Sequence, residues 1–156
     1  NGTTIAEVPE ARLVIAGRGP LEGLVRERAA ADRSIEYLGS LPGDGVAELL
    51  RGVAVFVTAP RPTRVWNEQF GLAYVEAMAS GVPVVTTECG TNHEAVLAPS
   101  IRVPDDVFAI AEGVVHFLGD PGLRRSIFGE VRDVVVERFE RRQQLAALRD
   151  AFDAVS

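Results

Sequence analysis

Lysine is absent from the 156 residues of this chain, and the residues that most often bind zinc are scarce: Cys89 is the single cysteine, and there are two histidines. One cysteine excludes an internal disulfide framework, and so few His and Cys residues argue against a zinc site. A single cysteine also fits a reducing compartment. We therefore expect a cytoplasmic protein that holds no metal and is not stabilised by disulfides.

Long apolar runs are missing as well. Stretches such as Val53–Val57 are far shorter than the roughly 20 residues that a membrane-spanning helix needs, and residues 1–4 have neither the charged nor the apolar part of a signal peptide. Acidic residues outnumber basic ones by 22 to 16, which gives a net charge of -6. This charge is opposite in sign to the field of a nucleic-acid or anionic-membrane binder, so we expect neither partner.

What the chain does contain is a regular alternation of short β-branched runs and helical patterns. Strands are predicted at Arg12–Ala16, Ile35–Leu38, Val53–Val57, Pro83–Thr87 and Ile101–Val103. Helices are predicted at Leu21–Ala31, Asp44–Arg51, Leu72–Ser80, Asp106–Leu118, Leu123–Arg138 and Gln143–Val155, with a short one near His93–Leu97. This order predicts a single Rossmann-like α/β domain, a doubly wound parallel sheet with helices on both faces.

Three local expectations follow from the same patterns. The apolar run Val53–Val57 predicts a strand covered on both faces. Asp44 is expected to cap the second helix, because its side-chain oxygen can accept from a free N–H of the first turn. Gly81 stands where a left-handed residue is needed to end the helix before Pro83. In such folds, ligands bind beyond the carboxyl ends of the strands, here in the loops after Ala16, Leu38, Val57 and Thr87.

The segment Glu68–Val85 carries the clearest chemical signal. Gly71 opens the helix Leu72–Ser80, whose first N–H groups and positive dipole end form an anion site. Glu68 lies just before this helix and Glu76 in its second turn. Carboxylates would repel a diphosphate but bind hydroxyl groups through short hydrogen bonds, so this pattern suits a nucleotide sugar. Alternatively, Glu76 is a surface residue and Glu68 a dipole-stabilising acid.

At these residues the sequence resembles the retaining glycosyltransferases of family 4, also called the glycosyl transferases group 1 family. The resemblance is to the C-terminal nucleotide-sugar-binding domain of their GT-B fold and covers nearly the whole chain. It is carried by Arg12–Pro20, Ile35–Gly39, Ala54–Val57, the Glu-x7-Glu spacing of Glu68–Val85, Cys89–Gly90 through His93–Val96, Asp120–Arg125 and Glu137–Phe139.

The resemblance implies a role for each part of the segment. It places Glu68 on the donor sugar as the catalytic residue and Glu76 on the ribose of the nucleotide. It places the amides of Gln69, Phe70 and Gly71 on the sugar, those of Leu72 and Ala73 on the diphosphate, and the loop Gly39, Ser40 and Leu41 near the base. The implied reaction transfers a hexosyl group with retained configuration, without metal or cofactor, from a nucleotide-diphosphate sugar to a carbohydrate or lipid-linked acceptor.

The family's cationic clamp for the diphosphate is not found in this sequence. In the family an Arg and a Lys precede the strand that is here Arg12–Ala16, but the chain has no lysine and only eleven residues come before Arg12. We expect a fragment that lacks that strand and the N-terminal acceptor domain, inactive alone, whose residues from about 140 onward pack on the missing domain. That domain would bring the enzyme to the inner membrane surface.

Several smaller questions stay open at this point. Arg18 is the candidate phosphate ligand, and Arg61 and Arg64 are further substitutes for the clamp, although an arginine in a loop is usually just solvated. Trp66 either stacks on a base or sugar or anchors its own loop. Cys89 and His93 have the spacing of a nucleophile and its base, but no third group orients them.

Other functions use a similar fold. A non-catalytic nucleotide-binding or scaffold module and a nucleotide-sugar epimerase both remain open. A sugar phosphorylase would need a cofactor-binding lysine, which this sequence does not contain. A dinucleotide dehydrogenase is disfavoured, because Gly17-Arg18-Gly19 is followed by Glu22 where the third glycine of the fingerprint belongs.

Overall fold

The computed structural model describes Val8 and residues 10–140. The predicted helix Gln143–Val155 lies outside the described residues. Strands and helices alternate in the order β1 (Leu13–Ala16), α1 (Glu22–Ala31), β2 (Ile35–Gly39), α2 (Gly43–Gly52), β3 (Phe56–Thr58), α3 (Leu72–Ala79), β4 (Val84–Thr87), β5 (Ile101–Val103), α4 (Val107–Leu118) and α5 (Pro121–Phe139).

All the strand pairs that the structure describes are parallel, which confirms the predicted α/β class. The strands form two hydrogen-bonded sheets. One contains β1 and β2, and the other has the strand order β3-β4-β5. Helices α3 and α4 both pack on β4, and α5 packs on both of these helices. Since parallel strands end at the same edge of a sheet, the loops after β3, β4 and β5 lie side by side.

The hydrophobic core surrounds β4, whose four residues are all buried. Its other buried members come from α2 through α5 and are Leu50, Tyr74, Ala77, Met78, Val82, Ala95, Val96, Val114, Phe117, Ile127, Val131 and Val135. The strand predicted at Pro83–Thr87 is confirmed: β4 occupies Val84–Thr87 in the middle of its sheet, as is typical of strands with cover on both sides.

The same argument is wrong for the run at Val53–Val57. Strand β3 begins only at Phe56 and ends at Thr58, and Val57 is 37% exposed. Strand β3 is the edge of its three-stranded sheet among the described residues, so it lacks the second neighbour that β4 has. An apolar run shows that a strand is partly buried, but the strand order decides how completely.

The structure corrects two of the predicted helix features and confirms a third. Asp44 does not cap α2: Pro42 occupies the cap position in extended backbone and its carbonyl accepts from Val46 N–H at 3.0 Å, which places Asp44 in the first turn. The short helix predicted near His93 is a single 3-10 turn at Asn92–Glu94. Gly81 ends α3 with φ +78°, as predicted.

The caps of the last two helices are aspartates. The Asp106 carboxylate accepts from Phe108 and Ala109 N–H groups and so caps α4. Asp120 caps α5 by accepting from Gly122 and Leu123 N–H groups. Helix α5 consequently starts at Pro121, two residues before the predicted Leu123, with proline at a first-turn position that needs no N–H donor.

Candidate functional site

Gly71 shapes the start of α3. It occupies the cap position in the left-handed region, with φ +83°, and its carbonyl accepts from Tyr74 N–H at 3.0 Å. The Tyr74 ring folds back beneath Gly71, where an added Cβ would overlap the ring carbons. Tyr74 itself is 2% exposed. Glycine is therefore required here both for the backbone conformation and for the space that Tyr74 fills.

A row of open backbone donors precedes and begins α3. Within residues 10–140, the N–H groups of residues 69–73 donate to no protein acceptor. Those of Leu72 and Ala73 are the first N–H groups of the helix and lie at its positive dipole end. The five residues are Gln69, Phe70, Gly71, Leu72 and Ala73, the ones that the sequence predicts as donor-binding amides. Their unpaired state fits an anion or hydroxyl ligand.

Glu68 is held in place from two sides. Its backbone N–H donates to Asn67 Oδ1 at 3.1 Å, and the Tyr74 hydroxyl donates to Glu68 Oε2 at 3.4 Å. The side chain is half-buried rather than free in solvent. Tyr74 links Gly71 to the Glu68 carboxylate, a contact that the sequence analysis missed. The six-residue separation of Glu68 and Tyr74 spans the loop and the first turn, so no helical periodicity could have revealed it.

Glu76 lies in the second turn of α3 and is exposed. In the part of the chain that the structure describes, its carboxylate has no hydrogen-bond or ion-pair partner. The carboxylate is therefore available to a ligand from solvent. Its assignment to a ribose stays a prediction.

The loop after β4, residues 88–92, packs against the segment 67–70. Thr91 N–H donates to the Glu68 carbonyl at 3.1 Å, and the Thr91 hydroxyl donates to the Gln69 carbonyl. Gly90 has φ +56°, and a Cβ on it would overlap the Glu68 carbonyl oxygen. Sequence reasoning placed this loop at the right edge of the sheet but assigned Thr91 no role. The one feature of the sequence that could have indicated a role for Thr91 is that its loop directly follows the strand next to β3.

The single cysteine belongs to this packing and not to a catalytic pair. Cys89 is 5% exposed and its Sγ lies 3.2 Å from Asn67 Oδ1, whereas His93 is exposed in the 3-10 turn. The described partner of the thiol is thus Asn67. No three side chains among His, Cys, Asp and Glu form a metal-binding group within residues 10–140.

The loops after β1 and β2 form a second, separate contact. Gly17 N–H donates to the Gly39 carbonyl at 2.6 Å, and the Tyr37 hydroxyl donates to the Gly17 carbonyl at 2.7 Å. Arg18 and Ser40 are exposed, and Leu41 is half-buried. Across the described ranges, no hydrogen bond or ion pair joins these loops to the segment 67–71. The base and phosphate roles given to them stay predictions.

The loop after β3 is tied to its neighbours. Arg61 forms an ion pair with Asp105 at 3.0 Å, and the Thr87 hydroxyl donates to the Pro60 carbonyl at 2.7 Å. Arg61 is thus engaged with a carboxylate of the loop after β5, while Arg64 is exposed. Trp66 is 48% exposed, and its backbone closes a turn with Thr63. A loop anchored in this way presents the segment 67–71 from a defined position.

Parallel strands joined by helices, with three adjoining loops at one sheet edge, define this chain as a Rossmann-like α/β domain. Comparison with known proteins gives its family. The glycosyl transferases group 1 model matches residues 3–120, and the chain belongs to that family.

Among curated relatives, the chain is 32% identical over 139 residues to the GDP-mannose-dependent monoacylated alpha-(1-6)-phosphatidylinositol monomannoside mannosyltransferase of Corynebacterium glutamicum, covering 85% of this chain and 36% of that protein. It is 34% identical over 117 residues to the GDP-mannose-dependent alpha-(1-6)-phosphatidylinositol dimannoside mannosyltransferase of Mycobacterium tuberculosis, covering 74% and 29%. The chain thus spans about a third of the length of these relatives.

Two solved structures show the same fold. HepE of Anabaena in complex with UDP has a TM-score of 0.71 at 21% identity, covering 92% of this chain and 42% of that one. Sucrose-phosphate synthase of Thermosynechococcus elongatus has a TM-score of 0.73 at 27% identity, covering 97% and 41%. No helix formed by residues 10–140 has the length and hydrophobicity required to cross a membrane.

Proposed function

We propose that this chain is the donor-binding domain of a retaining, metal-independent glycosyltransferase. It would present a nucleotide-diphosphate hexose for transfer to a carbohydrate or lipid-linked acceptor, which a further domain would bind at the inner membrane surface. The observation that carries the proposal is the open row of amides at residues 69–73 beside the carboxylates of Glu68 and Glu76.

The chemistry of this row matches the three parts of such a donor. The N–H groups of Leu72 and Ala73, at the positive end of α3, favour the diphosphate, and Gly71 lets the backbone approach it closely. Glu76, exposed one turn further on, suits the ribose hydroxyls, while Glu68 and the preceding amides suit those of the sugar. Arg18 is the cation that we assign to the phosphates, and Gly39, Ser40 and Leu41 we place beside the base.

Within this proposal, catalysis needs only the donor, the acceptor and the protein. A leaving diphosphate gains negative charge, and fixed N–H dipoles stabilise it without rearranging during the reaction. Glu68, half-buried and hydrogen-bonded by Tyr74, is fixed where it can orient the sugar. The GDP-mannose-dependent relatives and the UDP complex of HepE support a nucleotide-sugar donor but differ in the base.

Calorimetry with UDP, GDP and ADP tests the proposal and identifies the base. Glu76→Ala should weaken nucleotide binding by about 10- to 100-fold, because a charge-assisted hydrogen bond to the ribose is lost. Glu112→Ala, which removes an exposed glutamate from α4, is the matched control and should bind like the wild type. Failure of the wild type to bind any of the three, or equal binding by the Glu76 variant, contradicts the assignment.

Glu68→Ala distinguishes the role proposed for Glu68 at the sugar from nucleotide binding. We expect the affinity for the bare diphosphate to change by less than about two-fold and turnover in the full-length enzyme to fall by at least about 100-fold. The product's anomeric configuration, read by NMR, tests retention. An unchanged turnover would remove the catalytic role of Glu68.

A further inference from the structure

We propose that Thr91 is a positioning residue that aims the N–H groups of Gln69 and Phe70 at the donor sugar. This inference rests on the proposed function, because it takes the segment 67–71 as the sugar side of the site. Thr91 lies in the loop after β4, twenty-two residues along the chain from Gln69, and donates to that segment through both its backbone and its side chain.

The planarity of the peptide bond turns these two contacts into an orientation. In a trans peptide the C=O of one residue and the N–H of the next point in opposite directions. The Glu68 carbonyl accepts from Thr91 N–H at 3.1 Å, so the N–H of Gln69 points away from Thr91. The Gln69 carbonyl accepts from the Thr91 hydroxyl, so the N–H of Phe70 points away as well.

Both of these N–H groups are therefore directed to the side opposite the loop 88–92. Neither donates to a protein acceptor within the described residues. A pair of adjacent peptides with all carbonyls on one side and all donors on the other is an arrangement that a free loop rarely keeps, because each residue loses about 1–2 kcal/mol of conformational entropy when fixed. Thr91 supplies the contacts that hold it.

The loop that carries Thr91 is itself well anchored. It follows the wholly buried strand β4, and Asn92, 1% exposed, donates through Nδ2 to the Thr87 carbonyl at 2.8 Å. Gly90 leaves no room for a side chain against the Glu68 carbonyl, so the two segments are in direct backbone contact. A fixed support on one side and open donors on the other are what pre-organised binding requires.

Only one of the two Thr91 hydrogen bonds can be removed by substituting its side chain. The backbone bond to Glu68 survives any substitution, whereas the hydroxyl bond to Gln69 can be removed by Thr91→Val, which keeps the β-branched shape. Thr91→Ser keeps the hydroxyl. Loss of the hydroxyl frees the Gln69–Phe70 peptide and so affects the sugar side of the site, while the N–H groups of Leu72 and Ala73 keep their place in α3.

The test compares bare and sugar-loaded nucleotides in one titration series: UDP, GDP, UDP-glucose and GDP-mannose. For Thr91→Val we expect a loss of about 3- to 10-fold in affinity for the nucleotide sugar that the wild type prefers, and less than about two-fold for its diphosphate. Thr91→Ser should restore the wild-type ratio. Ser126→Ala removes a hydroxyl from α5, where it donates to the Leu123 carbonyl, and should leave the ratio unchanged.

Carbonyl ¹³C shifts of the ligand-free protein provide a second readout. We expect the Gln69 carbonyl resonance to move in Thr91→Val and to stay in place in Thr91→Ser, since only the former loses the hydroxyl donor. Equal losses for diphosphate and nucleotide sugar, or no loss for either, contradict the inference while the proposed function stands. If ADP is the diphosphate that the wild type binds, ADP and ADP-glucose take the place of the other pairs in the series. A wild type that binds none of UDP, GDP and ADP contradicts the proposed function itself.

Discussion

Two regions of this chain are held together in different ways. Residues 10–39, the N-terminal unit, contain β1, α1 and β2, whereas residues 53–140, the C-terminal region, contain β3 through α5. Among the residues that the structure describes, all buried core residues lie at Leu50 or later, and α1 has no buried residue. Strand β4, by contrast, is buried along its whole length. Hydrophobic burial therefore stabilises mainly the C-terminal region.

The N-terminal unit depends on its ladder and on local polar contacts. Leu13, Leu21 and Leu24 are 51%, 67% and 48% exposed. The Arg26 guanidinium pairs with Glu22 at 2.7 Å and lies 4.9 Å from the centre of the Tyr37 ring. Exposed contacts of this kind contribute little to stability, so we expect this unit to open at lower free energy than the C-terminal region.

The same division runs through the proposed site. The segment 67–71 and its support, the loop 88–92, belong to the C-terminal region, which places the sugar and diphosphate positions next to the buried strand. The loop Gly39, Ser40 and Leu41, which we place beside the base, begins at the last residue of the N-terminal unit. Under the proposed function, the parts of the donor that react would thus lie on the better-anchored part of the fold.

The largest expected contrast comes from removing one large side chain in each region. Phe117→Ala removes a ring that is 1% exposed in α4 and should lower the free energy of unfolding by about 3–5 kcal/mol, through lost burial and the cavity left behind. Leu24→Ala, in α1, should cost less than about 1 kcal/mol because its side chain is already half in solvent. Urea unfolding at an unchanged m value measures both.

Phe108→Ala provides a control on the same helix as Phe117. Phe108 is 57% exposed, so its removal should cost no more than that of Leu24. Comparable costs for Leu24→Ala and Phe117→Ala would show that the N-terminal unit is packed as tightly as the C-terminal region, and the contrast drawn here would be wrong.

A smaller contrast comes from removing one hydroxyl in each region. Ser100 Oγ accepts from Val84 N–H at 2.9 Å where both groups are buried, so Ser100→Ala leaves a buried donor unpaired and should cost about 1–3 kcal/mol. Tyr37→Phe removes the exposed bond to the Gly17 carbonyl, which water can replace, and should cost at most about 0.5–1 kcal/mol. Thermal unfolding of the two variants distinguishes them; a larger loss for Tyr37→Phe would contradict the comparison.

A structural feature could be predicted from the sequence when the residues that form it are close together in the chain. The buried run at β4, the left-handed Gly81 and the acidic residues beside α3 are local patterns, and each was found. The partial burial of β3 depends on which strands lie beside it, and the sequence contains no sign of that order. The apolar residues of β3 and β4 look alike until the sheet is assembled.

The support of the site shows the same limit. Gly71 could be recognised because it directly precedes the predicted helix Leu72–Ser80, but Thr91 acts on a peptide twenty-two residues away. A threonine in a loop has no distinctive signal until the two sheet-edge loops are brought together. The role of Tyr74 could not be predicted for a different reason. Its ring belongs to the core, whereas its hydroxyl donates to the Glu68 carboxylate on the other side of Gly71.

The smallest effect we predict concerns acid unfolding, where each region has one aspartate with a lowered pKa. The Leu123 and Gly122 N–H groups hold the pKa of Asp120, the cap of α5, below its ordinary value, and the Ser34 hydroxyl and N–H do the same for Asp32. A carboxylate with a lowered folded pKa adds stability above its ordinary value of about 4, and this is lost as the pH falls through the folded value.

Asparagine substitutions separate the two aspartates, because asparagine still caps but does not titrate near that pH. Asp120 caps a helix that packs on the core, so Asp120→Asn should reduce the acid-side loss of stability in the unfolding transition of the C-terminal region, followed by the fluorescence of the single tryptophan, Trp66. Asp32 fixes only the turn between α1 and β2, so Asp32→Asn should leave that transition unchanged if the regions unfold separately. An equal effect of both variants on the Trp66 signal would instead mean that the N-terminal unit and the C-terminal region unfold together.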